Sequence, residues 1–145
     1  MKHKFLSLLA LSFLFVAGTA LAGKGGPIIS GHWEGVGQAM YVDGTPAEIT
    51  FVSADLSQEG NFFSGLAVFD VTVGGEVQPT QIAQMSGHIS GNAIKGVLGG
   101  CFTTAPDCLG AAILEGKLSG NKLKGTVVDL SDGSTSIIIL YRMPK

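Results

Sequence analysis

The chain is poor in the side chains from which catalytic and metal sites are usually built. Its 145 residues include two cysteines, three histidines and one tryptophan, and only 14% are charged. A metal site needs three or four ligands, and no cysteine or carboxylate cluster accompanies His32 or His88. A Gly-x-Ser-x-Gly elbow, a phosphate loop and a dinucleotide fingerprint are also missing. The sequence therefore predicts no metal, no cofactor and no catalytic activity, with both histidines as solvated surface side chains.

Basic residues are scarce too. Once Lys2 and Lys4 are set aside, seven basic residues stand against eleven acidic ones, which gives a formal net charge of −4. This balance argues against a nucleic-acid partner. No apolar run reaches the roughly 20 residues that a membrane-spanning helix requires. The sequence therefore predicts no membrane span.

The first 22 residues have the features of an export signal. Lys2 and Lys4 precede an apolar run, Phe5 to Val16, and Ala20-Leu21-Ala22 forms a small-x-small cleavage site. We expect a signal peptide over 1–22, cleaved after Ala22, and a secreted or periplasmic protein. In such an oxidising compartment Cys101 and Cys108 are expected to form a disulfide. The alternative, a reduced metal or redox pair, lacks the Cys-x-x-Cys spacing.

What the chain has in abundance is glycine, with 22 residues, many of them in a repeated turn. The segments Glu59-Gly60-Asn61, Ser90-Gly91-Asn92 and Ser119-Gly120-Asn121 each lie between stretches of alternating apolar and polar residues. Gly-Asn is typical of a two-residue β-hairpin turn, and both residues are expected to have positive φ. The copies recur about every 30 residues, which is the length of one strand pair with its return connection.

Eight strands follow from this pattern, and no segment after the leader has a helical period. They are predicted over about 32–42, 47–56, 62–73, 81–89, 93–99, 109–118, 122–130 and 135–143. The sequence predicts an all-β fold: a single eight-stranded, antiparallel, up-and-down barrel over 31–145, after a flexible lead-in over 23–30. Closure of the barrel would remove exposed sheet edges.

The connections predict that the two ends of the barrel differ. The three Gly-Asn turns join alternate strand pairs and must lie at one end, while the longer connections lie at the other. We call the second end the mouth; a barrel of this size can hold one small ligand there. Alternation places the glycine and aliphatic residues of the repeats inside. It places Lys95, Lys117, Lys122 and Lys124 outside.

Four residues are candidates for contact with a ligand in the mouth. Tyr41, Phe69 and Phe102 could line an apolar cup, or could equally fill the barrel as core. Asp129 follows the inward face of its strand and could orient a ligand. The alternative for Asp129, which we favour, is a carboxylate at the wet rim that ends the strand.

The two ends of the predicted barrel resemble a known superfamily. Ile29-Ser30-Gly31-His32-Trp33 opens the first strand with Gly-x-Trp, and Tyr141-Arg142-Met143 closes the last. This pattern resembles the calycins, which include lipocalins and fatty-acid-binding proteins, and looks nearest to the avidin/streptavidin branch. The resemblance implies that Trp33 fills the closed end and that Arg142 packs across it as a cation–π pair. Avidin-like sites use several tryptophans, whereas this chain has one, which argues against biotin.

Together these features predict an exported binding protein that holds a small apolar ligand in the mouth. The alternative is a protein-binding module, an inhibitor or an assembly partner, that acts through the 99–109 loop or the outer face of the last strand. On that face Ile137, Ile139 and Tyr141 form an outward apolar row. Such a row is also a candidate homo-oligomer interface.

Overall fold

A computed structural model of the chain describes residues 26–101 and 111–145, except the side chains of residues 100 and 101. These residues form nine β-strands. The strands are β1 (Gly31–Met40), β2 (Pro46–Glu59), β3 (Phe62–Val73), β4 (Glu76–Val77), β5 (Gln81–Ser90), β6 (Ala93–Cys101), β7 (Ala111–Ser119), β8 (Lys122–Asp129) and β9 (Thr135–Arg142).

Eight of these strands close into one antiparallel barrel. Each pairs with its neighbours in the order β1-β2-β3-β5-β6-β7-β8-β9, and β9 pairs back onto β1 from Trp33↔Arg142 to Met40↔Thr135. The predicted all-β fold and its closed up-and-down meander are therefore confirmed. Since every barrel strand has two neighbours, its backbone groups are paired on both sides.

The main difference from the sequence prediction is β4. The segment 74–80 was predicted as a loop, yet Glu76 and Val77 pair with β3 in a two-residue strand. Gly74 and Gly75 both have positive φ, 58° and 85°, and turn the chain back tightly on β3. The hairpin is short, so the sequence carries no alternating pattern long enough to reveal it.

The three repeated turns are the tight connections that the sequence predicts. Gly60, Gly91 and Gly120 have φ of 60°, 60° and 59°. In the described parts of the chain no residue other than glycine has positive φ, so the prediction of positive φ for the asparagines was wrong. Glycine alone at the first central position is the arrangement of a type II′ turn, which matches the twist of the flanking strands.

Burial alternates along the strands as expected. The lysines at 95, 117, 122 and 124 are exposed, while the opposite face of each strand is buried. The largest fully buried side chains are Trp33, Ile29, Met85, Ile94, Leu114, Leu123, Ile138, Leu140 and Val52. These aliphatic side chains, with Trp33 at one end, fill the barrel and form one continuous core.

Inward glycines allow the strands to approach one another closely. A Cβ added at Gly35 would lie 1.9 Å from the carbonyl oxygen of Ile139, on the strand that closes the barrel. Gly65 makes the same approach to the carbonyl oxygen of Asp55, also 1.9 Å. Backbone atoms cannot move aside as a flexible side chain can, so these positions accept only glycine without a shift of the strand.

We predict that Gly35→Ala destabilises the barrel by about 2–4 kcal/mol, because the added methyl group forces β1 away from β9. Gly99→Ala is the matched control, since a Cβ there meets nothing within 4 Å. Urea unfolding followed by the fluorescence of Trp33, the only tryptophan, measures both. Equal unfolding midpoints for the two variants would contradict the close-approach argument.

The closed end is built around Trp33 and Arg142. The indole is fully buried and its Nε1 donates to the carbonyl oxygen of Ile29 at 2.7 Å. The Arg142 guanidinium lies 4.5 Å from the ring centroid, so the cation–π contact is present. It also donates to the backbone carbonyls of Ile28 and Ser30. Arg142 thus fixes the segment before β1 and covers the indole at the same time.

The segment before β1 is packed against the barrel at this end. Ile29 is fully buried, and its amide donates to the side-chain oxygen of Gln58 at 2.8 Å. This part of the lead-in, which contains Ile28 and Ile29, was predicted as flexible. Its burial depends on Gln58 and Arg142, which lie far away in the sequence.

We predict that Arg142→Ala lowers the free energy of unfolding by about 1–3 kcal/mol, because it removes the cation–π contact and two hydrogen bonds. Arg142→Lys should recover only part of this loss, because lysine lacks the planar, forked guanidinium with which arginine reaches both carbonyls. Urea unfolding measures both variants. If Arg142→Ala and Arg142→Lys both unfolded at the urea midpoint of the wild type, the contact between Arg142 and Trp33 would have no structural role.

Candidate functional site

The mouth lies opposite Trp33 and carries the longer connections. The β1–β2 turn is closed by hydrogen bonds from Tyr41 N to Thr45 O and from Gly44 N to Tyr41 O, both 2.9 Å. The β3–β5 connection contains β4, and residues 130–134 join β8 to β9. The connection between β6 and β7 also starts from this end, but residues 102–110 lie outside the described part of the chain. The predicted difference between the two ends is therefore present.

Small side chains form the inward layer at the mouth. Its partly buried members are Ala39, Val71, Ala83, Ala112 and Val127. The layer below consists of larger residues that are buried to 9% exposure or less: Ile49, Phe69, Met85, Leu98, Leu114 and Ile138. We call the space above this lower layer, bounded by the small side chains, the cup. The inward side chains are therefore smaller and more exposed at the mouth than in the layer below.

The lining of the cup is mostly hydrocarbon, but Ser136, which pairs with Ala39 and Val127, and Asp129, which pairs with Ala112, lie on the same face. Among the described residues, no polar or charged residue is buried. On the rim, a shallow cavity of about 350 Å³ lies between the β1–β2 and β3–β4 turns, lined by Ala47 with Thr45, Glu48 and Thr72. An apolar floor with polar groups at its edge is the usual composition of a small-molecule site.

The predicted ligand residues differ in their surroundings. Tyr41 is half-buried in the rim turn after β1. Phe69 is 9% exposed and belongs to the core, where it forms part of the cup floor. Phe102 lies outside the described residues. The structure thus places Tyr41 and Phe69 at the mouth end, one on its rim and one beneath it.

Asp129 is half-buried at the end of β8, also at the mouth. Its Oδ1 accepts hydrogen bonds from the Ser131 amide at 2.8 Å and from the Ser131 hydroxyl at 2.5 Å. This is an Asx turn, in which the carboxylate satisfies the backbone where the strand ends. The geometry fits the strand-ending interpretation of Asp129.

The predicted disulfide cannot be placed. Cys108 lies in the segment 102–110, and Cys101 is described only through its backbone at the end of β6. Cys101 is thus the last residue of β6, and Cys108 belongs to the connection that follows it. The disulfide therefore stays a prediction.

His32 has surroundings that the sequence analysis missed. Its Nδ1 lies 2.7 Å from Asp55 Oδ1, and its Nε2 lies 3.0 Å from Glu34 Oε1. These hydrogen bonds, that to Glu34 first and that to Asp55 second, raise the pKa of His32 above its ordinary value of 6.5. The signal for Glu34 was in the sequence, two residues along on the same face of β1. Asp55 becomes a neighbour only through the β1–β2 register.

These three side chains lie on the outside of the barrel and are well exposed, His32 at 41%. No cluster of three or more His, Cys, Asp or Glu suited to a metal ion occurs in the described ranges. His88 is exposed on β5. His32 is therefore a surface ion-pair residue whose charge depends on pH, and it lies away from the cup.

We predict that His32→Gln removes part of the pH dependence of stability. A raised folded-state pKa means that the protonated imidazole contributes stability fully below the unfolded value of 6.5, and that this contribution is lost as pH rises through the folded value. The wild type should therefore lose stability relative to His32→Gln between about pH 6 and pH 8. Urea midpoints across this range test it; parallel profiles would contradict it.

A large concave surface in the described residues lies on the outside of the barrel. This outer groove, of about 910 Å³, crosses β2, β3, β5 and β6 near the tight turns. Ser57, Ser64 and Ser86 pair across neighbouring strands and form its floor. Phe62, 69% exposed, stands beside His88 at its edge. The groove contains none of the predicted ligand residues, and its hydroxyl groups are accessible to water.

No helix among the described residues is both long and apolar enough to cross a membrane. No protein-family model and no curated protein matches this sequence.

Proposed function

We propose that this protein is an exported, non-enzymatic binding protein that holds a small apolar ligand in the cup at the mouth of its barrel. The observation that carries the proposal is the layer of small inward residues, with Ala39, Ala83 and Ala112 partly exposed above a filled core. Alanines in place of leucines leave an apolar hollow that water occupies poorly and a hydrocarbon group occupies well.

The depth of the cup limits the ligand. Leu114 and Ile138 are fully buried directly below the small layer, so the ligand does not extend to the closed end. It places its apolar part between the alanines and keeps its other end at the rim. Tyr41 and Thr45 lie at that rim and can meet a polar group. A compact, amphiphilic molecule suits this arrangement better than a long acyl chain.

The resemblance to calycins supports the location of the site. The closed eight-stranded barrel has a calycin-like architecture, and the Gly-x-Trp opening looks nearest to the avidin/streptavidin branch. An eight-stranded barrel whose closed end is filled can hold a small ligand only toward its open end. The resemblance does not extend to biotin as the ligand, because Trp33, the only tryptophan, lies at the closed end under Arg142.

Native mass spectrometry of the mature protein, purified from the exported fraction under non-reducing conditions, is the first test. A reproducible extra mass that denaturation removes supports the proposal, and its value narrows the ligand class. The same spectrum reports whether cleavage follows Ala22 and whether Cys101 and Cys108 are bonded. A bare polypeptide mass together with no thermal shift from a panel of apolar compounds would oppose the proposal.

We predict that Ala112→Leu, which fills the cup, weakens binding of the apolar dye Nile red at least about tenfold. The free energy of unfolding should change by no more than about 1 kcal/mol, because the cup has room for the added carbons. Ala111→Leu is the matched control: it adds the same side chain one residue away on the exposed face of β7. Equal dye affinity in both variants would place the dye outside the cup.

A further inference from the structure

The outward side of β9 carries an exposed apolar surface. Ile137 and Tyr141 are 49% and 52% exposed, and Val36 on β1 is 57% exposed. Ile139 lies between them and pairs with Val36. A concave surface of about 470 Å³ runs along Val36, Ile137 and Ile139. We call this surface, Val36 with Ile137, Ile139 and Tyr141, the β9 face.

Opposite charges lie on the two sides of the β9 face. Lys122 on β8 and Glu34 on β1 both pair with Tyr141, so Lys122, Tyr141 and Glu34 form one row across three strands. Further out on the basic side, Lys117 and Lys124 pair directly with each other. Like charges directly opposite each other repel, and these two lysines extend the basic side of the β9 face.

We propose that a second copy of this chain binds the β9 face, through a two-fold axis that runs along β9. Rotation by 180° about an axis parallel to β9 places β8 of one copy opposite β1 of the other. It leaves every residue at the same position along the axis, so each row faces the same row of the second copy. Lys122 of one copy therefore lies opposite Glu34 of the second copy, and the pair occurs twice. An axis across the strands would instead place lysine against lysine. The charge pattern thus selects one of the two simple arrangements.

The other rows of the β9 face are also compatible with this axis. In the next row Lys124, Ile139 and Val36 are neighbours, so the aliphatic stem of Lys124 would cover Val36 of the second copy. Ile137, Ile139 and Tyr141 lie on the axis and meet their own counterparts. Glu34 uses Oε1 to contact His32 at 3.0 Å, which leaves Oε2 for Lys122. The centre is then apolar and the edges are paired charges, as in a specific interface.

The interface is narrow, because two convex barrels touch along about three strands. We therefore expect a weak dimer with a dissociation constant in the range of about 1–100 μM. Barrel strands tilt by about 40° from the barrel axis. Both mouths then open toward the same end of the two-fold axis, where each can bind its ligand without obstruction by the other copy.

Sedimentation equilibrium of the mature protein, with its charge-reversal variants, tests the proposal. Lys122→Glu and Glu34→Lys should each weaken self-association at least about tenfold, because each creates two repulsive pairs. An equimolar mixture of the two variants should associate again, since every pair across that heterodimer is opposite in charge. Lys95→Glu is the control on β6, away from the β9 face, and should leave the association unchanged.

A second variant separates the interface from effects on folding. Ile139→Asp places a charge on the proposed axis and should give a monomer whose urea unfolding midpoint stays close to that of the wild type. A wild-type protein that remains monomeric at about 500 μM would overturn the proposal. A dimer that persists in Ile139→Asp, or a mixture of the two charge variants that fails to associate, would overturn it as well.

Discussion

The pairing of β9 with β1 is the interaction on which the rest of this structure depends. It joins the first and last strands of the barrel from Trp33↔Arg142 to Met40↔Thr135. Without it, two strands would expose unpaired backbone, and the core would be open along one side. The same pairing brings Arg142 over Trp33 and forces Gly35 against the backbone of Ile139. Closure therefore dictates both the glycine at the junction and the aromatic-cation pair at the closed end.

Closure also fixes the volume of the interior, and the sizes of the inward side chains determine which parts of that volume are filled. Large residues occupy the closed end and the middle of the barrel; Trp33 and Leu114, for example, are both fully buried. Small residues such as Ala39 and Ala112 occupy the mouth. Because a barrel of eight strands is only just wide enough for its own side chains, this gradient decides where a ligand has room. The proposed binding function follows from the gradient, and the fold alone would not imply it.

The exterior follows a different rule, since alternation leaves it largely polar. One apolar part of it lies on the strand that closes the barrel, where Ile137 and Tyr141 face outward beside Val36 of β1. Lys122 and Glu34 lie on either side. Strand β9, which closes the barrel, is thus also the strand whose outer surface we propose to be covered by a second copy. Under these proposals each copy would use its mouth for a ligand and its β9 face for association.

The sequence by itself determined the features that are local. The glycine at each tight turn, the alternation along each strand and the number of barrel strands could all be predicted, because a turn residue or a two-residue period acts on its own segment. Tyr41 and Asp129 could be placed at the mouth on the same basis. Their surroundings could not be predicted. The contact of His32 with Asp55, the burial of Ile29 and the row of Lys122, Tyr141 and Glu34 were decided only by the tertiary structure. Each depends on the register between strands that are distant in sequence. That register is set by the packing of the whole barrel, and no local sequence pattern encodes it.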